Sequence, residues 1–417
     1  MKRILSLAAF ALLISSAFAK YPESVVVSNP SKTPKTDEPV VISLKEYGDI
    51  RSALVTFEGQ EIPCQLDDLD QDETFDELCF LADLNGKETK RYEIQLFTEG
   101  EPRPYPARVF AEMLIRNDKV KEKNKHNNFI ESITVHGDCA NSYNIQHHHG
   151  VYFESELNGI RIYFDKRQTL DLYGKFQKRL ELEATQFYTQ PDQKAEGYGD
   201  DVLWVGNTFG LGAFRGWDGQ EPTMIDPVRS RTQRIISYGP LRTIVELIDR
   251  GWIAPSPLTS HPSPLTSHLS PLNMTIRYTQ YAGHRDTDVD VFFNKNVTDR
   301  LFSTGIINVK GSEEFSDKKG LRACWGTDWP SSDTINWKRE TVGLGICIPM
   351  KYVKSEETAN KDNYAFVVGT DNDRLSYKVI YCSDNESFGY HSAKEWFEFL
   401  KEWKKEVEQR ITVSVAE

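Results

Sequence analysis

Tyr143–Lys175 reads YNIQHHHGVYFESELNGIRIYFDKRQTLDLYGK. Its period is two. Val151, Phe153, Ser155 and Leu157 alternate with Tyr152, Glu154 and Glu156, and Ile160, Ile162 and Phe164 alternate with Arg161, Tyr163 and Asp165. Such alternation marks half-buried strands, because successive strand side chains point to opposite faces. Asn158-Gly159 sits between the two runs, and Asn-Gly is a strong signal for a tight hairpin turn. One face of the hairpin should carry Tyr152, Glu154, Glu156, Arg161, Tyr163 and Asp165. Acids, a base and phenols on one sheet face suit a polar, charged substrate.

Outward from this hairpin, the chain is mainly β. Ser24–Val27, Pro39–Leu44, Ala53–Phe57 and Arg91–Phe97 read as strands of a small N-terminal β domain over 20–116. Asn117–Asn128 is charged and lacks apolar period, so 117–128 reads as a linker. A larger domain over 129–417 then contains Leu241–Trp252, Met274–Tyr281, Val289–Phe293, Thr341–Pro349 and Tyr377–Cys382 as strands. Ser256–Leu272 is a short proline-rich repeat, SPLTSHPSPLTSHLSPL. Proline removes ladder donors, so 256–272 is expected as an exposed loop. One helix closes the chain. Ser392 with Glu395 reads as a capping box, and Trp396, Leu400, Trp403, Val407 and Ile411 recur as an apolar stripe for docking on a sheet.

The first residues read as a targeting segment. Lys2-Arg3 precede an apolar run and an Ala17/Ala19 cleavage pattern, so 1–19 is expected as a signal peptide and the protein as exported, periplasmic or secreted. That run is too short to span a bilayer, and nothing later reads as a transmembrane segment. The formal net charge is −12 and the pI near 5.4, which argues against nucleic acid as a partner. An acidic oligosaccharide would need the arginines concentrated locally. None of the six cysteines form a C-x-x-C, and Cys64 with Cys79 is the most local candidate for a bridge.

The chemistry-bearing residues group as follows. His147, His148 and His149 are adjacent. On a strand, His147 and His149 would share a face and could serve proton transfer, substrate contact or, with further ligands, a metal. Glu154 and Glu156, two apart, would place carboxylates roughly 6–7 Å apart, where hydrolytic pairs need about 5–5.5 or 6.5–9.5 Å and usually come from different strands. Elimination from a uronate needs a cation on the carboxylate, a base for the C5 proton and an acid for the C4 oxygen. Arg161, Arg167, Arg215, Arg242 and Arg285 lie near tyrosines and histidines in sequence and could supply the cation. Trp204 and Trp217, in the glycine-rich stretch after Tyr198, and Trp325 could stack on sugar rings. Asp68, Asp70, Asp72 and Asp76 follow the spacing of a calcium loop, although Glu73 stands where a turn glycine is usual and Cys79 where a bidentate glutamate is usual. A structural Ca²⁺ is the cofactor this pattern suggests.

The stretches HHGVYFESELNGIRIYFDKRQTLDLYGK, YGDDVLWVGNTFGLGAF, RTIVELIDRGW, IRYTQYAGHRDTDVDV and TVGLGICIP resemble a family of exported Bacteroidota proteins from polysaccharide-utilisation loci, known only as a domain of unknown function. The resemblance runs from about Tyr21 to the C-terminal helix. It implies a large antiparallel β supersandwich of the galactose-mutarotase type, with the small N-terminal β domain and the one C-terminal helix. It also implies a lyase or dehydratase acting by β-elimination on uronic-acid-containing oligosaccharides, since one relative looks like a dehydratase of ulvan oligosaccharides. On this reading His147, His148, His149, Arg161, Tyr163 and Arg215 line the site, and Glu154, Glu156, Trp204, Trp217, Arg285 and Trp325 contact substrate. A glycoside hydrolase using a carboxylate pair and a non-catalytic glycan-binding protein are the alternatives.

Overall fold

The computed structural model describes residues 24–116, 128–137, 142–255 and 270–416. The expected signal peptide, nearly all of the linker, most of the proline-rich loop and Cys139 fall outside these residues. Among the described residues the fold is β throughout, with antiparallel strand pairing and one long helix, Ala393–Glu408.

The larger body is two layers. One layer is a nine-stranded antiparallel sheet that runs from Ser132–His136 at one edge to Glu313–Ser316 at the other. The second layer is two five-stranded sheets. They are joined where Leu170 bridges Gly210 and Leu211 bridges Ile306. Gly210 is needed there: its φ is +54°, and a Cβ would lie 2.4 Å from the Leu170 carbonyl oxygen. The inward side chains of the hairpin, Val151, Phe153, Ile160 and Ile162, pack with Val245, Leu247, Ile276 and Val289 of the long sheet in one apolar core. Burying a side chain of this size is worth about 1.5–3 kcal/mol, so the alternation read in sequence fixes which face of the hairpin turns inward.

The hairpin pairs Glu154 with Gly159 and Tyr152 with Arg161. The tight turn is therefore Glu156-Leu157, closed by Ser155 N–H donating to the Asn158 carbonyl at 3.1 Å. Asn158-Gly159 is not the turn itself. The Asn158 amide donates to the Arg285 carbonyl at 2.6 Å, and a Cβ on Gly159 would meet the Leu182 side chain at 3.1 Å. Both residues answer to packing against other segments.

The small N-terminal body has its own apolar core, which includes Val25, Val27, Val40, Val55, Phe80 and Tyr92. Its five-stranded sheet is completed by Thr412–Ala416, paired antiparallel with Ser24–Ser28. Conversely Val109–Glu112, inside the stretch expected for the small domain, pairs with Gly150–Ser155 of the large one. Cys64 and Cys79 are both free and buried. Cys64 is paired with Phe80 and Gln65 with Cys79, so this one-residue offset turns the two thiols to opposite faces.

The C-terminal helix is capped as expected, with the Ser392 hydroxyl accepting from Glu395 N–H at 3.3 Å. The Glu395 carboxylate reaches back to His391 N–H rather than to the cap residue. Trp396, Leu400 and Trp403 dock on the outer face of the long sheet against Leu321 and Ile380. Ile411 lies beyond the helix end and packs into the small core instead.

Candidate functional site

The outer face of the hairpin sheet carries the polar residues. Arg161 is 1% exposed and sits at the centre. Its Nη2 donates to the Tyr163 hydroxyl at 2.9 Å and to Asp171, and reaches Asp201 at 3.4 Å. Its Nη1 donates to the Tyr188 hydroxyl at 2.8 Å. Phe187 covers the guanidinium, 4.2 Å from ring centroid to Cζ. Asp171 comes from the neighbouring strand, in register with Arg161. Tyr163 in turn donates to Asp171 at 2.6 Å. Burial, and then the Asp171 charge, hold the Tyr163 phenol well above its ordinary value, so it keeps its proton.

The three histidines are not on a strand. They form a short 3-10 stretch, His147–His149, kinked at His148. His148 has φ 57° and His149 φ 70°. Facing them, Gln186 and Phe187 are also left-handed, at φ 48° and 68°. Each such non-glycine residue costs on the order of 1–3 kcal/mol, and such strain clusters at functional sites. Ladder pairing stops just before the turn: Gln146 bridges Ile115 antiparallel, with His147 N–H donating to the Leu114 carbonyl, and His149 N–H then donates back to the Gln146 carbonyl instead of across to a strand.

The turn gives each imidazole a different environment. His149 stacks on Tyr143, with centroids 3.7 Å apart, and its Nδ1 lies 2.7 Å from the Tyr143 carbonyl oxygen. A carbonyl only accepts, so Nδ1 carries the proton and Nε2 keeps its lone pair. His147 Nε2 lies 3.2 Å from Gln186 Oε1, which fixes the opposite tautomer. His148 is buried beneath, its ring 4.6 Å from that of Tyr188 and edge-on. Neither ring nitrogen of His148, nor either amide atom of the buried Gln146, makes a hydrogen bond among the described residues. Burial lowers all three imidazole pKa values, that of His148 to about 2, so all three are neutral near pH 7.

Arg167 completes the group. It binds Asp165 through Nε at 2.8 Å, and its guanidinium lies over Tyr143 at 5.1 Å and Tyr163 at 4.8 Å. Arg167 Nη1 also donates to the Gly206 carbonyl at 3.3 Å. That contact joins the site to a cavity of about 620 Å³, lined by Trp204, Arg215 and Trp329 among others. Arg215 is fully buried, its donors satisfied by Phe214 O, Thr169 Oγ1 and Thr208 O, and burial lowers its pKa to about 10.

Other expected site residues go elsewhere. Glu154 is wholly buried, with Lys175 Nζ at 2.5 Å and the N–H groups of Glu181 and Leu182 on its oxygens. Glu156 binds Arg108 at 2.5 Å and Gly283 N–H at 2.8 Å. The two carboxylates therefore hold separate segments and do not face one substrate. Arg285 pairs with Glu386 at 2.7 Å inside the protein, and Arg242 with Asp67 and Glu77. Trp217 is buried, and Trp325 packs with the C-terminal helix, so neither offers a free ring face. Trp204 is 54% exposed, as a stacking platform requires.

Sequence reading missed Tyr188, Gln186, Asp171 and Asp201. Tyr188 and Gln186 lie on an irregular segment without hydrophobic period, and only the fold brings them over Arg161. Asp171, on the strand after the hairpin, was discoverable by extending the same alternation from Tyr163. In the acidic loop, ligand atoms of Asp68, Asp70 and Asp76 lie within 4.8 Å of one another. Asp72 is not among them. It accepts instead from Thr74 N–H at 2.9 Å. Three convergent carboxylates are a hard oxygen donor set of the kind calcium takes. Glu73 adopts φ 72° where the glycine is usual.

Among the described residues no helix is long and apolar enough to cross a membrane. No curated protein matches the sequence. Among solved structures, a protein in the glycosyl hydrolase family 38 from Enterococcus faecalis superposes with a TM-score of 0.51 at 9% identity, covering 95% of this chain and 47% of that one. An alpha-mannosidase from Enterococcus faecalis V583 gives 0.47 at 10% identity, covering 96% of this chain and 47% of that one. The chain thus spans about half the length of these structures, and the first likeness is one of fold. Residues 27–413 match the family model described as Domain of unknown function (DUF4861), and the chain belongs to that family.

Proposed function

We propose that the protein is a carbohydrate-active lyase or dehydratase, acting by β-elimination on uronic-acid-containing oligosaccharides at the face built by Tyr143, His147–His149, Arg161, Tyr163, Arg167 and Tyr188. The observation that carries this reading is His149. Its proton sits on Nδ1 toward the Tyr143 carbonyl, its pKa is lowered by burial, and Arg167 lies over Tyr143, the ring on which it stacks. A neutral base beside a cation is what abstraction next to a carboxylate needs.

In this scheme Arg167 meets the substrate carboxylate. His149 Nε2 takes the C5 proton, and the C5–H electron pair forms the C4=C5 bond. The C4–O bond breaks with its pair on oxygen, and the Tyr188 phenol, hydrogen-bonded to Arg161, supplies the proton. The protons then return from His149 to Tyr188 through solvent. Tyr163 and Asp171 hold Arg161 in place. The likeness in fold to the glycosyl hydrolase family 38 protein lends support at the level of sugar chemistry alone. Hydrolysis by Glu154 and Glu156 is disfavoured because both carboxylates are committed to Lys175 and Arg108. The reading places the activity after export, from the N-terminal sequence, and gives the Asp68, Asp70 and Asp76 loop a structural Ca²⁺.

The test is a scan of the mature chain against uronate oligosaccharides from ulvan, rhamnogalacturonan, arabinogalactan and alginate, followed by ultraviolet absorbance and product mass. A conjugated chromophore with loss of water marks a dehydratase, and the same chromophore with chain cleavage marks a lyase. Addition of water without a chromophore, or binding without turnover, overturns the elimination reading.

A further inference from the structure

The cavity beside the Arg167 site differs from it in charge. Its lining includes the segment from Trp204 to Phe209 together with Glu221, Asp328, Trp329 and Asp362. Among the described residues none of these three carboxylates has an ion-pair partner. The Asp328 side chain accepts only from its neighbour's N–H, at 2.8 Å. Arg215, the cation lining the cavity, donates to two carbonyls and a hydroxyl and forms no ion pair with them. The three carboxylates do not converge on one point either: among the described residues, three or more ligand atoms lie within 4.8 Å of one another only at Asp68, Asp70 and Asp76.

Unpaired, dispersed carboxylates beside a half-exposed indole fit a particular ligand class. Carboxylates accept from hydroxyl groups, and an indole face covers the apolar C–H face of a pyranose. An anionic ring would meet three carboxylates against the single guanidinium of Arg215. We propose that this cavity is a binding subsite for an uncharged sugar residue, adjacent to the position of the terminal uronate. The proposal rests on the elimination reading for the word "adjacent", and on the cavity alone for the word "uncharged". The link between the two positions is Arg167, which lies over Tyr143 and Tyr163 and holds the Gly206 carbonyl in the cavity wall. The surface thus pairs an end that carries the Arg167 guanidinium with an end of unpaired carboxylates and an exposed indole, matching a glycan in which a uronate alternates with a neutral residue.

The experiment has two arms, both on the full mature chain. In the first, indole fluorescence and calorimetry follow titration with xylobiose, cellobiose and methyl α-rhamnoside, with digalacturonate as the acidic comparison. At least one neutral probe should bind saturably, more tightly than digalacturonate, and Trp204→Ala should weaken it about tenfold. Asp328→Asn with Asp362→Asn should narrow the gap between neutral and acidic probes. In the second arm, uronate-terminated oligosaccharides with a neutral or an acidic penultimate residue are compared. Trp204→Ala should raise KM about tenfold for the neutral-penultimate substrates, with kcat within about twofold. Trp204 is exposed, so its variant should keep the wild-type melting temperature. Neutral-probe binding without any turnover would sink the elimination reading and keep the subsite. No saturable neutral binding, or digalacturonate binding better through Trp204, overturns the subsite even if elimination is observed.

Discussion

The imidazole of His149 lies flat on the phenol of Tyr143, 8° from parallel, while its Nδ1 meets the carbonyl oxygen of the same tyrosine. One residue thus supplies both the ring that orients the imidazole and the acceptor that sets its tautomer. His149→Gln should lower kcat by about 10²–10⁴-fold, the usual worth of a general base, with little change in melting temperature. His147→Ala with His149→Ala should abolish turnover and leave the circular dichroism spectrum intact. Unchanged rates in the double variant would remove the cluster from the mechanism.

The pH profile tests the same base. Burial lowers the His149 pKa below its ordinary value, and a base works only when deprotonated. The acidic limb of kcat/KM should therefore have its midpoint below ~6.5, the ordinary histidine value, with a plateau through neutrality. A midpoint at or above that value would mean a different base.

Arg161 makes a stability prediction. It is buried with Asp171 and Asp201 and carries the hydroxyls of Tyr163 and Tyr188. Arg161→Met leaves buried carboxylates without their cation, which typically costs about 3–5 kcal/mol. Urea denaturation should show that loss, and Arg161→Lys should recover only part of it, because one ammonium cannot reproduce the planar fork.

His284 joins the two bodies. Its Nε2 lies 2.9 Å from the Asp37 carbonyl and its Nδ1 3.3 Å from Asp286. Burial pulls its pKa down, but the Asp286 hydrogen bond and charge and the Asp37 carbonyl outweigh that and leave it raised. Its stabilisation is therefore fully present below ~6.5, its unfolded value, and is lost as pH rises through the higher folded value. His284→Gln should flatten the melting-temperature profile across that window, and a profile parallel to wild type would refute the assignment.

Calcium should raise the melting temperature through Asp68, Asp70 and Asp76 in a concentration-dependent way, reaching about 2.7 kcal/mol of stabilisation at a hundredfold excess over Kd. Asp70→Ala should remove the increment. A wild-type chain indifferent to both calcium and chelator would leave the loop as a solvated turn.

Much of the scaffold could be read from one-dimensional pattern, because alternation reports which face is buried. Val151, Phe153, Ile160 and Ile162 went to the core and Tyr152, Arg161 and Tyr163 to the opposite face, as their spacing required. The site was legible only in part. A run of three histidines carries no mark that two of them are left-handed, where the bridge between Gln146 and Ile115 ends and His149 N–H turns back to the Gln146 carbonyl. Tyr188 reaches Arg161 from 27 residues away. Trp204 and Trp325 look alike in sequence, yet one faces the cavity and the other the C-terminal helix. Contacts between distant segments separate them, and local spacing does not encode those.

Finally, consider the strand Thr412–Ala416, which completes the small sheet by pairing with Ser24–Ser28. The Ser24–Ser28 edge of the first body in sequence stays open until that strand is available. A chain threaded amino-end first through a narrow channel would meet an open β edge for the whole passage. Ser24–Ser28 would then offer its unpaired amides to any neighbour. Cover for this edge thus comes from nearly four hundred residues downstream, and clipping those five closing residues would turn a closed seam into an adhesive border.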